Sequence, residues 1–153
     1  MARSSPPYLV LIATMTLAAC ATPKPSGTAS AQPVVETWGG VLPCADCIGI
    51  RTQLLLYKEQ PSGKQIRYEM TETYMGAPGG ERSVQTQGRW TISRGSATDR
   101  DAIVYQLDFD KPVTTRSFVL ASYHELRLLD REQKEIDTPV SHSLHLVSGG
   151  QHH

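Results

Sequence analysis

The feature that most constrains the fold of this chain is a succession of short segments in which apolar and polar residues alternate, separated by turn-forming residues. Within 103–109, for example, Tyr105 and Leu107 fall on one face of a strand, and Gln106 falls on the other. No window of helical length in this region shows a 3.6-residue period. Strands are predicted at 36–41, 51–57, 65–74, 83–93, 103–109, 116–122, 126–130 and 141–147. Consecutive hairpins of this spacing favour an all-β fold, and within it a small antiparallel β-barrel, whose closure removes exposed strand edges.

Residues 1–19 indicate a bacterial export signal. Residues 8–19 form an apolar run that is too short to span a bilayer, which needs roughly 20 helical residues. The run ends in Leu-Ala-Ala-Cys20, which resembles the lipobox and implies cleavage before Cys20 and lipidation of that cysteine. The alternative is a plain secretory signal with an incidental cysteine. Ala21 stands where sorted lipoproteins retained in the inner membrane carry aspartate, so the chain is expected to be lipid-anchored in the outer membrane, facing the periplasm.

Residues 20–34 are expected to form a flexible tether, because they hold three prolines and no aromatic residue. The barrel domain is predicted to occupy residues 35–148, followed by a short tail at 149–153. The chain has 15 basic and 15 acidic residues, and the loss of Arg3 with the signal leaves a net charge of about −1. This balance argues against nucleic acid as a partner.

Cys44 and Cys47 carry most of the chemistry that the sequence offers. They stand three apart in a turn bounded by proline and glycine, and three interpretations remain open: a disulfide in the oxidising periplasm, a two-sulfur site for Cu(I), and redox signalling. Zinc is disfavoured because no second pair supplies its remaining ligands. Thioredoxin chemistry is disfavoured because a strand follows the pair, and Asp46 between the cysteines raises the pKa of their thiols.

Other polar residues offer weaker candidates. His142 and His145 point to opposite faces of a strand and are not expected to share a metal. Met70 is expected in the core, whereas Met75, close to a glycine-rich loop, is a candidate thioether ligand. Asp108 and Asp110 are expected to cap a turn. We therefore expect a non-enzymatic protein.

The run from Trp38 to Ile50, with its Leu-Pro-Cys-Ala-Asp-Cys core, resembles the N-terminal domain of the NlpE copper-resistance lipoproteins. Weaker matches follow at Tyr74, 88–90 and 126–130. The resemblance implies a lipocalin-like barrel on the periplasmic side of the outer membrane. It also implies roles in copper tolerance, in envelope-stress sensing and in adhesion-linked signalling to a sensor kinase system, with Cys44 and Cys47 in the family's metal or redox position.

Two departures from the family pattern bear on these expectations. Ile48 stands where the family usually carries proline, which alters the rigidity of the turn. The resemblance covers about residues 36–147, so the second, oligonucleotide-fold-like domain of longer members is expected to be missing. If signalling depends on that domain, this chain is expected to bind or buffer without signalling.

A second hypothesis belongs to a different functional class. A lipocalin-like barrel can serve as a carrier or a structural lipoprotein that holds an apolar ligand. The aromatic residues expected to line its interior are Tyr68, Trp90, Tyr105 and Phe109. The same residues also suit an ordinary barrel core, because small barrels are filled by side chains.

Overall fold

The computed structural model describes Met1 and residues 34–59 and 62–149. The predicted signal peptide, the lipidation site Cys20 and nearly all of the predicted tether lie outside the described residues. The described part contains strands and turns and no helix. Among the described residues, there is accordingly no helical segment of the length and hydropathy needed to cross a bilayer.

The strands form one antiparallel sheet that curls into a nearly closed barrel, which confirms the predicted fold class. The sheet order is β4-β3-β2-β1-β9-β8-β7-β6-β5, and each described pairing is antiparallel. The strands are β1 (Val34–Leu42), β2 (Gly49–Lys58), β3 (Gln65–Met75), β4 (Arg82–Gly88), β5 (Trp90–Arg94), β6 (Ile103–Leu107), β7 (Arg116–Ser122), β8 (Glu125–Leu128) and β9 (Ser143–Gly149).

The prediction of one continuous strand over 83–93 was wrong. Gly88 pairs with Tyr68 of β3, whereas Trp90 pairs with Leu107 of β6, so the chain changes partners at Arg89. Both halves of the segment are strand and a single residue separates them, which is why the pattern did not reveal the break. Gly88 is required there because a Cβ atom would lie 2.0 Å from Oδ1 of Asp108.

One end of the barrel interior is filled by aromatic side chains. Trp90 and Tyr105 are fully buried and stack with their ring centroids 5.5 Å apart, and Trp38 meets Tyr105 edge-on at 6.3 Å. Leu54, Phe118 and other buried residues complete this cluster. Such packing supplies the hydrophobic stabilisation of a barrel of this size.

Phe109 does not line the interior, contrary to the carrier hypothesis. The chain turns at Asp108, whose φ angle is 50°, immediately after β6 ends at Leu107. Phe109 is therefore 37% exposed, and the guanidinium of Arg89 lies 5.0 Å from its ring centroid. Ile103, in the same predicted register, is also exposed.

The terminal strands of the sheet, β4 and β5, do not pair with each other, so side chains complete the closure. The hydroxyl of Tyr68 donates a buried hydrogen bond of 2.9 Å to Oδ2 of Asp108. Arg116, at the start of β7, donates a bond of 2.7 Å from Nη1 to Oε1 of Glu72 on β3. Both contacts join β3 to the β6–β7 region, across the gap that backbone hydrogen bonds leave open.

Candidate functional site

The cysteine pair lies in the connection between β1 and β2. Cys44 and Cys47 are joined by a disulfide with an S–S distance of 2.06 Å and a Cα–Cα distance of 5.3 Å. Both cysteines are half-buried, while Ala45 and Asp46 between them are exposed. The turn therefore presents an accessible disulfide at one end of the barrel.

The turn is fastened to the β3–β4 hairpin through Ile48. Its amide donates a hydrogen bond of 2.9 Å to the carbonyl of Met75, a bond that the proline expected from the family pattern has no N–H to make. The Ile48 side chain lies against Gly76, where a Cβ atom would come within 2.6 Å of it. The departure at Ile48 thus adds a backbone bond and an apolar contact, although the side chain remains 83% exposed.

The polar groups that contact the two cysteines belong to the turn itself and to the first residue of β2. Oδ1 of Asp46 lies 3.6 Å from Sγ of Cys44, and Sγ of Cys47 lies 3.5 Å from the carbonyl oxygen of Gly49. Negative charge beside a sulfur atom disfavours a thiolate there and repels an approaching thiolate. Asp46 therefore opposes reduction of the disulfide by a thiolate.

The donor set bears directly on which metal the reduced pair would hold. Among the described residues, no group of three or more histidine, cysteine or acidic side chains is close enough to bind one metal ion. Zinc needs four ligands, so the described residues do not fit it. Two thiolates suffice for Cu(I), a soft ion that prefers sulfur, and the reduced pair fits that ion.

Met75 lies beside the turn because Gly49 is its register partner in the β2–β3 ladder. Its sulfur accepts a contact of 3.2 Å from Nη2 of Arg51. The topology thus brings a thioether to the same end of the barrel as the cysteines. Met70, by contrast, is buried in the core, as predicted.

A cavity of about 1170 Å³ lies at the same end of the barrel as the disulfide turn. Leu42 and Pro43, just before Cys44, line it, as does Ile50 at the start of β2. Residues of the β6–β7 and β8–β9 connections, 112–115 and 129–136, complete its rim. The turn is therefore part of the frame around the cavity mouth.

Sequence reasoning missed the polar residues of this cavity. Glu72 and Asp108 are buried charged residues that line it, and Arg116 is paired with Glu72. Asp108 does lie in a turn, as expected, and its carboxylate also accepts bonds from Tyr68 and Lys111. The sequence did contain one signal of a buried polar site. Glu72 falls on the same strand face as Tyr68 and Met70, and positions on that inward face are usually apolar.

Comparison with known proteins agrees with the resemblance inferred from the cysteine turn. The family model described as the NlpE N-terminal domain matches residues 38–139. Lipoprotein NlpE of Escherichia coli (strain K12) is 32% identical over 125 residues, which cover 78% of this chain and 44% of that protein. This chain therefore spans less than half the length of that curated relative.

Two solved structures are also similar. The crystal structure of the Cpx pathway activator NlpE from Escherichia coli has a TM-score of 0.46 and 29% identity, covering 71% of this chain and 49% of that one. A Shewanella oneidensis protein described as a lipoprotein has a TM-score of 0.49 and 21% identity, covering 77% and 93% respectively. The family match includes the disulfide turn and most strands of the barrel. This chain belongs to the NlpE N-terminal domain family.

Proposed function

We propose that this chain is a non-enzymatic, lipid-anchored envelope protein whose Cys44–Cys47 turn responds to copper or to the redox state of the periplasm. The observation that carries the proposal is the accessible cysteine pair at the barrel end. Family membership supports it, since the solved Escherichia coli relative is described as a Cpx pathway activator. An envelope-stress sensor kinase system is the corresponding proposed partner.

The response consists of two states of the pair. In the oxidised state the cysteines form the disulfide. Reduction begins when a thiolate of a periplasmic dithiol protein attacks one sulfur of the disulfide, so that the S–S bond breaks and the other cysteine leaves as a thiolate. The second thiol of the dithiol protein then attacks the mixed disulfide. This step releases the reduced chain and leaves the two cysteines of the dithiol protein joined in a disulfide. The reduced pair supplies two soft sulfur ligands, which suit Cu(I).

Anchoring through Cys20 and location in the outer membrane form the second part of the proposal. The lipobox-like boundary before Cys20 and the residue Ala21 after it support both. Two fractionation variants test them: Cys20→Ser is expected to remove the protein from the outer-membrane fraction, and Ala21→Asp is expected to move it to the inner membrane. Retention of Cys20→Ser in the outer-membrane fraction would contradict lipid anchoring.

A competition titration tests the copper state. Fully reduced protein is titrated anaerobically with Cu(I) in the presence of a chromophoric chelator. We expect one tightly bound Cu(I) per chain, loss of this site in the Cys44→Ser, Cys47→Ser variant, and weaker binding in Met75→Leu if the thioether contributes. Met70→Leu, at a buried methionine of the same strand, is the matched control for Met75→Leu. Equal affinity in the double serine variant would exclude a Cu(I) site at the pair.

Signalling is tested in cells that lack their own NlpE. An envelope-stress reporter is measured with the wild-type chain and with the double serine variant, with and without copper. We expect the wild-type chain to change the reporter response and the variant to leave it unchanged. Since the chain spans 44% of the Escherichia coli relative, a wild-type chain that binds Cu(I) without moving the reporter would assign it a buffering role in place of signalling.

A further inference from the structure

The cavity at the barrel end has two kinds of wall. One wall is apolar and is formed by inward-facing positions on four strands, namely Leu42, Ile50, Met70 and Leu128. This wall is extended toward the mouth by Pro112, Val113 and Ile136. Its volume of about 1170 Å³ lies slightly above the usual range for small-molecule sites, roughly 300–1,000 Å³. The aromatic cluster around Trp90 and Tyr105 forms the filled part of the interior, so the cavity is a cup open at one end.

Arg116 is the polar group that this cup offers to a ligand. Its Nη1 donates to Oε1 of Glu72 at 2.7 Å and lies 3.8 Å from Sδ of Met70. Within the described residues, both side-chain contacts of this guanidinium use Nη1, and 39% of the side chain is exposed. An arginine has five N–H donors in a planar fork, so the fork retains donors for an anionic group at the mouth.

The acidic side chains around the cavity have basic neighbours, so the surrounding charges leave room for an anionic head. Glu72 is 5% exposed and is covered by Arg116, so a cation entering the mouth meets the guanidinium before it meets the carboxylate. Asp108, the next acid in the wall, is paired with Lys111 at 3.1 Å. Arg131 and Asp130 add one charge of each sign to the lining. A single negative charge beside Arg116 therefore enters a region without excess negative charge.

We propose that this cavity binds a single-chain amphiphile with a carboxylate or phosphate head. The acyl chain lies along the apolar side that includes Ile50 and Met70, and the head accepts hydrogen bonds from Arg116. Of the four aromatic residues that the sequence suggested for the interior, Tyr68 lines this cavity, whereas Trp90 and Tyr105 pack in the core and Phe109 is partly exposed. The inference stands independently of the disulfide chemistry, although Pro43 places the disulfide turn at the rim of the same site.

The test is calorimetric titration of the purified full chain carrying Cys20→Ser, with three probes: dodecanoate, dodecanol and a lysophosphatidic acid with a dodecanoyl chain. We expect both anionic probes to bind, and dodecanol to bind about tenfold more weakly than dodecanoate, since it lacks the charge-assisted bonds to Arg116. Binding of only one anionic probe identifies the source of the head group. Absence of binding by both, or equal affinity for dodecanol and dodecanoate, would overturn the proposal.

Variants locate the site. Ile50→Trp places an indole in the mouth and is expected to abolish binding, whereas Ile92→Trp, at an exposed position on β5 outside the cavity lining, is the matched control. The double variant Glu72→Gln, Arg116→Gln removes both charges together and is expected to bind dodecanoate about tenfold more weakly while leaving dodecanol unchanged. Arg89→Gln is its control. Near-ultraviolet circular dichroism checks each fold, and unchanged dodecanoate binding by folded Ile50→Trp would rule out this cavity.

Discussion

The hydroxyl of Tyr68 and the carboxylate of Asp108 meet in a hydrogen bond of 2.9 Å between regions of the sheet that share no backbone pairing. Tyr68 belongs to β3, and Asp108 follows β6 in a left-handed conformation. The ammonium group of Lys111 donates to the other carboxylate oxygen of Asp108, and Gly88, which has no Cβ atom, leaves room for that oxygen. A small polar network therefore replaces ladder hydrogen bonds at the seam of the barrel.

Tyr68→Phe is expected to reduce the alkaline loss of stability. Burial, and then the bond to Asp108, raise the pKa of Tyr68 to about 12, above the unfolded value of about 10. The folded state thus holds the phenolic proton more tightly, and this contribution to stability is complete below pH 10 and lost as the pH rises through 12. Urea denaturation at pH 9, 10 and 11 should show a shallower decline for the variant.

Some alkaline decline will persist in Tyr68→Phe, because burial and the charge of Glu36 also raise the pKa of Tyr105. Tyr123→Phe, at an exposed tyrosine, is the matched control and should decline as the wild type does. A decline in Tyr68→Phe as steep as in the wild type would show that this hydroxyl does not hold its proton more tightly in the folded state than in the unfolded one.

Gly88→Ala is expected to destabilise the protein by about 2 kcal/mol or more, because the new methyl group overpacks the seam. Its Cβ would lie 2.0 Å from Oδ1 of Asp108 and 2.9 Å from Cε1 of Tyr68. Gly39→Ala is the control, since its Cβ meets a Val147 side-chain methyl at 3.2 Å as nearest neighbour. Equal unfolding free energies for the two variants would mean that Asp108 and Tyr68 move away from the new methyl group without loss of stability.

Asp46→Asn is expected to accelerate reduction of the disulfide by anionic thiols. The carboxylate lies 3.6 Å from Sγ of Cys44, and a charge at this range in water contributes about 1 kcal/mol of repulsion, equivalent to several-fold in rate. The rate of reduction by glutathione is measured at low and high salt, and the gain should shrink at high salt. Glu81→Gln, in the β3–β4 turn, should leave the rate unchanged; a salt-independent gain in Asp46→Asn would point to altered loop conformation.

Arg116→Met is expected to cost about 2 kcal/mol at neutral pH, a value reduced from that of a fully buried pair because Arg116 is partly exposed. The loss arises because Glu72 remains buried without its cation. The double variant Glu72→Met, Arg116→Met should recover part of this loss, since it removes both charges from the cavity wall. Chemical denaturation measures both, and a double variant less stable than the single one would show that the cost lies in packing.

The sequence predicts what is local in this molecule. Alternation within 65–74 or 116–122 reflects one buried face, and the cysteine spacing reflects one turn, so both appear without knowledge of tertiary contacts. The change of partners at Arg89 depends on distant strands, because both halves of 83–93 are strand and only their partners, β3 and β6, differ. The outward turn of Phe109 depends on Asp108, whose conformation is fixed by distant Tyr68.

The lining of the cavity was predicted only in part, at Tyr68, for the same reason. Aromatic residues at alternating positions suggest a lined pocket and a filled core equally well, and only tertiary structure shows that Trp90 and Tyr105 stack on each other. The pairing of Glu72 with Arg116 joins residues 44 apart in the chain. Without the barrel, nothing in either segment indicates the other as its partner.

The direction of β1 has a consequence for how the protein can be reached in its surroundings. The chain enters this strand at Val34 and leaves it at Leu42, directly before the disulfide turn. A strand of this length spans about 25 Å, so Val34 and the cysteine pair lie at opposite ends of β1. The proposed anchor at Cys20 precedes the Val34 end of this strand, which leaves the cysteine end open to a soluble molecule.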